Sequence, residues 1–101
     1  QGGAVRFAIE FAESVAGQLL PLARAERVRV LDAVEPQLGH EPLRETRNRK
    51  PLRPNPVAPW ELRVGRLRVF YEVTSARVVR VIAVGKKERN ILRIGKREVK
   101  L

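Results

Sequence analysis

The chain has 101 residues, 44% of them hydrophobic, with twenty-one Lys and Arg against eleven Asp and Glu and a net charge of +10. This balance excludes a disordered basic tail and points to a polyanion or an acidic protein as partner. With no Cys and one His, the composition offers no disulfide framework, zinc ribbon, thiol nucleophile or His-rich metal site, and no apolar run approaches the roughly 18 residues of a membrane span.

No signal peptide opens the sequence, so one cytoplasmic domain over residues 1–101 is expected, with Gln1-Gly2-Gly3 read as a tag remnant or trimmed terminus. Val5, Phe7, Ile9 and Phe11 alternate with other residues, which predicts a first strand over Val5 to Phe11. Ala12 to Leu20 is helix-prone, weakened by Gly17 and ended by Pro21. A second helix is expected from about Ala23, with Val28, Leu31, Val34 and Leu38 as its apolar stripe. Pro36 should fray it before Leu38, and Gly39 should stop it. The short link between the two favours an antiparallel helical hairpin.

His40 to Pro59 contains five prolines and the basic run Thr46 to Asn55. Such density favours a stiff, extended loop or irregular edge strand lying over the domain body. Arg47, Arg49, Lys50 and Arg53 of this run suit contact with an RNA backbone or an acidic protein, or simply keep the loop solvated. The charge is lopsided: residues 39–101 carry seventeen Lys and Arg against six Asp and Glu, and residues 1–38 carry four against five.

WELRVGRLRVFYEV, Trp60 to Val73, reads as a β-hairpin closed by a type II′ turn at Gly65-Arg66. That turn sets Val64 against Leu67, Arg63 against Arg68, Leu62 against Val69, Glu61 against Phe70 and Trp60 against Tyr71. One face, with Trp60, Leu62, Val64, Leu67, Val69 and Tyr71, closes a core. The other carries Glu61, Arg63, Arg68 and Phe70 and is expected to be free. Like charges directly opposite destabilise a sheet, so Arg63 and Arg68 either share an anion or splay apart onto Glu61 and Glu72. Arg77 to Val84 reads as a central strand broken by Gly85, followed by a helical turn near Glu88 and a last strand at Arg97 to Leu101.

The order β-α-α-β-β-β, with two N-terminal helices on one face of a small, mainly antiparallel sheet, is an α+β arrangement. Together with the runs WELRVGRLRVFYEV and VVRVIAVGKKERN, Val78 to Asn90, it resembles the RelE/ParE family of toxins from type II toxin–antitoxin systems. The resemblance implies one of two activities, or a catalytically inactive member that only binds its antitoxin. RelE-like members enter the ribosome and cut mRNA without a metal or other cofactor; ParE-like members inhibit DNA gyrase without chemistry. Both are neutralised by a cognate antitoxin. By resemblance Arg68 matches the arginine that stabilises the scissile phosphate, and Lys87 the basic residue after the Val-Gly-Lys step. Glu61 and Arg63 match two alternating lysines. The base-stacking tyrosine has no counterpart, Arg93 being the nearest position.

Metal-free RNA cleavage needs a base for the 2′-hydroxyl, a clamp on the phosphate and stabilisation of the leaving 5′-oxygen. Guanidinium forks suit the clamp, so Arg68 with Arg63 beside it, and Lys86 and Lys87 after Gly85, are the candidates for phosphate contact. Glu61 could accept a proton but is more readily an ion-pair partner of an arginine. His40, whose side-chain type titrates near neutrality, is a second possible base or a helix-terminal residue. Phe70 could stack on a base or pack in a core.

Overall fold

The computed structural model describes residues 6–101; Gln1 to Val5, and with them the start of the expected first strand, lie outside the described residues. The elements are β1 (Ala8–Phe11), α1 (Ser14–Leu19), α2 (Arg24–Leu38), β2 (Arg49–Pro51), β3 (Trp60–Val64), β4 (Leu67–Val73), β5 (Val78–Glu88), β6 (Ile91–Ile94) and β7 (Arg97–Val99). Strands β2 to β7 form one antiparallel path in chain order, and β1 joins it by pairing in parallel with β5. The eleven-residue β5 is long enough to carry β4 along one edge and two short strands on the other, β1 beside Val78–Val81 and β6 beside Gly85–Glu88. In the gap between those two, the Val84 amide donates to the side-chain oxygen of Gln18 on α1 at 2.9 Å.

The β3–β4 hairpin has the register that alternation and turn chemistry dictate, from Val64 against Leu67 to Trp60 against Tyr71. Gly65 takes φ +60, while Arg66 keeps φ negative, which suits the type II′ geometry. The helices cover one face of the sheet. α1 lies on β5, and α2 lies on β3 and β4. The core beneath them holds Leu62, Leu67, Val69, Tyr71, Val79, Val81 and Val84, with Trp60 and Val64 half-buried at its margin.

α2 presents a different stripe from the one its sequence suggests. Val30, Val34 and Leu38 are buried, at a spacing of four, whereas Val28 and Leu31 are each 48% exposed. The helix carries apolar residues around more than half its circumference, and the position of the sheet decides which become core. Pro36 sits within its last turn, and the helix continues to Leu38; the Gly39 amide still reaches the Glu35 carbonyl at 2.9 Å.

The face opposite the helices is not free. Leu52, Val57 and Ala58 of the proline-rich segment fold over it onto Phe70, Ala83 and Leu92, with Ile82, Ile94 and Val99 beside them. Asn55 organises this flap: its carboxamide oxygen accepts from the Val57 and Ala58 amides at 2.8 and 3.0 Å, and its nitrogen donates to the Arg53 and Ala58 carbonyls. The segment thus behaves as the expected irregular edge, pairing through β2 with β3. Tyr71 reaches past the sheet to donate to the buried Pro42 carbonyl at 2.6 Å.

Gly85 does not break β5. It is buried, and a Cβ there would lie 2.5 Å from the Arg93 carbonyl oxygen, so glycine lets β6 approach. The expected helical turn near Glu88 is instead a tight hairpin, with Arg89 at φ 58 and Glu88 paired with Ile91. A two-residue connection between short alternating runs favours that outcome.

Candidate functional site

The site is built by one irregularity. Between Phe70–Ala83 and Tyr71–Val81 the β4–β5 register slips by one residue, leaving Ile82 as a bulge. Before it, Val79 and Val81 face the helices. After it, Val84 and Lys86 do, while Ala83 and Lys87 turn to the other face. A bulge reverses the sense of alternation, and here it brings Lys87 to the face of Glu61 and Arg68.

These three residues line one cleft of about 400 Å³, together with Asn90, Leu92, Val99, Lys100 and Leu101. Glu61 is 5% exposed and accepts a hydrogen bond from Arg63 Nε at 2.8 Å. The facing arginines therefore splay: Arg63 leans on Glu61, and Arg68 donates to the Gly65 and Leu67 carbonyls at 2.8 and 3.0 Å. Arg68 is half-buried. Loss of water holds its pKa below the ordinary guanidinium range, Glu61 pulls it back up and Arg63 pushes it down. It remains a cation at neutral pH, and a partly desolvated cation gains more from an arriving anion than a fully hydrated one. The backbone of Lys87 is fixed by its amide, which donates to the Arg66 carbonyl at 2.8 Å.

The remaining expected residues divide sharply. Lys86 points the other way and binds Glu26 of α2 at 2.7 Å. The hydrogen bond to Glu26 raises its pKa, and the same contact, with the Ala23 amide, lowers that of Glu26. Lys86 is thus a tie between sheet and helix, corrected from a phosphate contact by the bulge. Phe70 is completely buried in the second core, so it has no face to offer a base. Arg49 donates to the Gln37 carbonyl at 2.6 Å and to the Arg44 carbonyl at 3.1 Å. It satisfies an orphan carbonyl of the last turn of α2, which makes its guanidinium a helix cap. Lys50 pairs with Glu45 at 3.6 Å. Arg47 and Arg53 are exposed, and Arg53 borders a second hollow with Leu52, Pro54 and Asn55. His40 follows the Gly39 cap of α2 and is not among the residues lining the cleft. Arg93 projects toward the helix side with Gln18 and Lys86.

Asn90, Leu92, Val99 and Lys100 were not anticipated at the site. Their signal was the short run Glu88-Arg89-Asn90-Ile91, a hairpin turn between alternating segments. Among the described residues no group of His, Cys, Asp and Glu is clustered to hold a metal ion, and no helix is long and apolar enough to cross a membrane.

No protein-family model matches the chain, and no curated protein is significantly similar to it. Among solved structures, the fold matches a chain in the crystal structure of the toxin–antitoxin complex RelBE2 from Mycobacterium tuberculosis, with a TM-score of 0.70 and 23% identity over 86% of this chain and 98% of that one. The chain therefore has a RelE-like fold: two helices packed on an open, mainly antiparallel α+β sheet.

Proposed function

We propose that this chain is a RelE-type toxin, an endoribonuclease that cleaves ribosome-bound mRNA, stops translation in the cytoplasm and is neutralised by a cognate antitoxin. The observation that carries the reading is the meeting of Arg68, Lys87 and the buried Glu61 in one cleft. Residues from β3, β4 and β5, separated in sequence, converge where a phosphate could be held.

In this reading Arg68 and Lys87 grip the non-bridging oxygens of the scissile phosphate, and Arg63 holds Glu61 in place. Glu61 is the carboxylate in the cleft, so it is the group to receive the 2′-hydroxyl proton. The 2′-oxygen then attacks phosphorus, the bond to the 5′-oxygen breaks, and Lys87 gives or shares a proton with that leaving oxygen. The products are a cyclic phosphate and a free 5′-hydroxyl, with no co-reactant consumed. No step uses a metal or other cofactor.

The partner proposal rests on a second surface. Phe11, Leu20, Val28 and Leu31 are exposed apolar side chains, and Phe11, Val15, Leu19 and Leu31 border a shallow, almost wholly apolar hollow. An initially disordered antitoxin segment, acidic to match the net charge of +10, could bury this surface. Coexpression should yield a stable binary complex.

Mapping new 5′ ends on translated mRNA after expression of the chain alone tests the activity. Arg68→Ala should cut the rate by about a hundred- to a thousand-fold, the usual cost of removing one transition-state contact, and leave the fold intact. The second reading, a ParE-like inhibitor that only binds a protein target, is favoured by Glu61 standing where the resemblance expects a lysine. Growth arrest without RNA cleavage, with gyrase supercoiling blocked, would establish it instead.

A further inference from the structure

α2 carries two seams, and the sheet meets only one. Val30, Val34 and Leu38 enter the core, while Arg24, Val28, Leu31 and Glu35 lie along an exposed line at spacings of four, three and four. At that spacing one helix meets another along a coiled-coil seam. The line is also self-complementary in reverse. Turning the helix end for end about the midpoint between Arg29 and Val30 exchanges Arg24 with Glu35 and Val28 with Leu31. Cation then meets carboxylate, and carbon meets carbon. Beside Leu31 the surface stays apolar, with Phe11, Ala16 and Leu19 around a shallow hollow.

We infer that this face of α2 binds a second copy of the chain, the two α2 helices packing antiparallel about a twofold axis. A twofold interface needs a self-complementary patch, because the same surface serves on both sides. At its centre Val28 of each copy lies on Leu31 of the other, and the hollow beside Leu31 widens the apolar contact. At its ends Arg24 of each copy faces Glu35 of the other. Glu35 is free to turn outward: its contact with Arg6, at 3.4 Å, joins side chains that are 64% and 70% exposed, and such a pair holds little. The net charge of +10 sits away from this face. Its excess lies in residues 39–101, and residues 1–38 carry four Lys and Arg against five Asp and Glu. A second copy finds its own charges here in reverse order. No residue of the cleft takes part, so the inference stands apart from the nuclease reading. An antitoxin laid on the same side chains would have to part the dimer.

The test is sedimentation equilibrium of the purified chain from about 5 to about 500 μM at about 0.15 M salt, a range that spans the affinity of a short interface. The wild type should pass from monomer to dimer across it. Arg24→Glu and Glu35→Arg each set like charges against one another twice, and each should weaken the dimer by about ten- to a hundred-fold. An equimolar mixture of the two variants restores both opposite-charge contacts, so heterodimers should form about as tightly as the wild-type dimer. Leu31→Ser should abolish association and leave the melting temperature nearly unchanged, because that side chain is 48% exposed. A monomer at every concentration overturns the inference and leaves the face to the antitoxin. A dimer indifferent to the charges at these two positions, or a mixture no tighter than its separate variants, overturns it too, since the contact then lies elsewhere. Neither result bears on mRNA cleavage, so this inference and the nuclease reading fail separately.

Discussion

Lys86 and Lys87 are consecutive, yet one ties the sheet to α2 and the other lines the cleft. The tie has a pH signature. Glu26 has a lowered pKa when folded, so its contribution is complete above its ordinary 4.5 and is lost as pH falls through the lower folded value. Lys86 has a raised one, so its contribution is complete below its ordinary 10.5 and is lost as pH rises through the higher folded value. Glu26→Gln keeps an acceptor for the Ala23 amide, 2.9 Å away, and removes the charge. Melting temperature measured across pH should therefore fall less steeply at both extremes in this variant than in the wild type. Parallel profiles would show that the pair adds no stability. Tyr71 makes a second residue-scale case. Its hydroxyl is fully buried and donates to the Pro42 carbonyl at 2.6 Å, and burial raises its pKa well above that of an ordinary tyrosine. Tyr71→Phe strands that carbonyl and should cost about 1–3 kcal/mol in denaturant unfolding.

At the scale of elements, the β5–β6 junction decides the shape of the cleft. Gly85→Ala would set a Cβ 2.5 Å from the Arg93 carbonyl oxygen, a backbone atom that cannot swing away. The strands must part, at a cost of about 1–3 kcal/mol for such overpacking, and Leu92 and Asn90 move with β6. Stability should drop in urea unfolding while Arg68 keeps its place on β4; no change in midpoint would mean that β6 adapts freely. The same junction marks where sequence reasoning stops. The β3–β4 register was legible, because alternation and a Gly-Arg turn leave one pairing open to that hairpin. Its consequence at Ile82 was not, because a bulge in an all-apolar run such as Val-Ile-Ala-Val has no periodicity to betray it. Arg68, Lys87 and Glu61, all named from the sequence, do line one cleft. Lys86 and Phe70 were misassigned because the faces of β5 exchange and because the flap built on Asn55 covers one side. The stripe of α2 was half right for a related reason: Val28 and Leu31 are as apolar as Val30, and only the sheet chooses between them.

For the molecule as a whole, the order in which the sheet can form follows from its pairings. Strands β2 to β7 join neighbours in sequence through short connections, whereas β1 pairs with β5 across about seventy residues, Ala8 against Val78. Local pairings close small loops and form early; distant ones wait on a large loss of chain entropy. The hairpins of β3, β4 and β5 should therefore assemble first, and β1 with α1 should dock last. Pulse-labelled hydrogen exchange during refolding would show it: the Ala8 and Ala12 amides, which donate to the Arg77 and Val81 carbonyls, should gain protection after those of the β3–β4 ladder. Simultaneous protection would contradict the sequence of events. On a translating ribosome the same topology acts as a delay. The N-terminal strand and helix leave the exit tunnel long before β5 is available, and they have no sheet to rest on until most of the chain has been made. The exposed apolar residues of that waiting segment, Phe11 and Leu20 among them, are then open to any partner that reaches the nascent chain first.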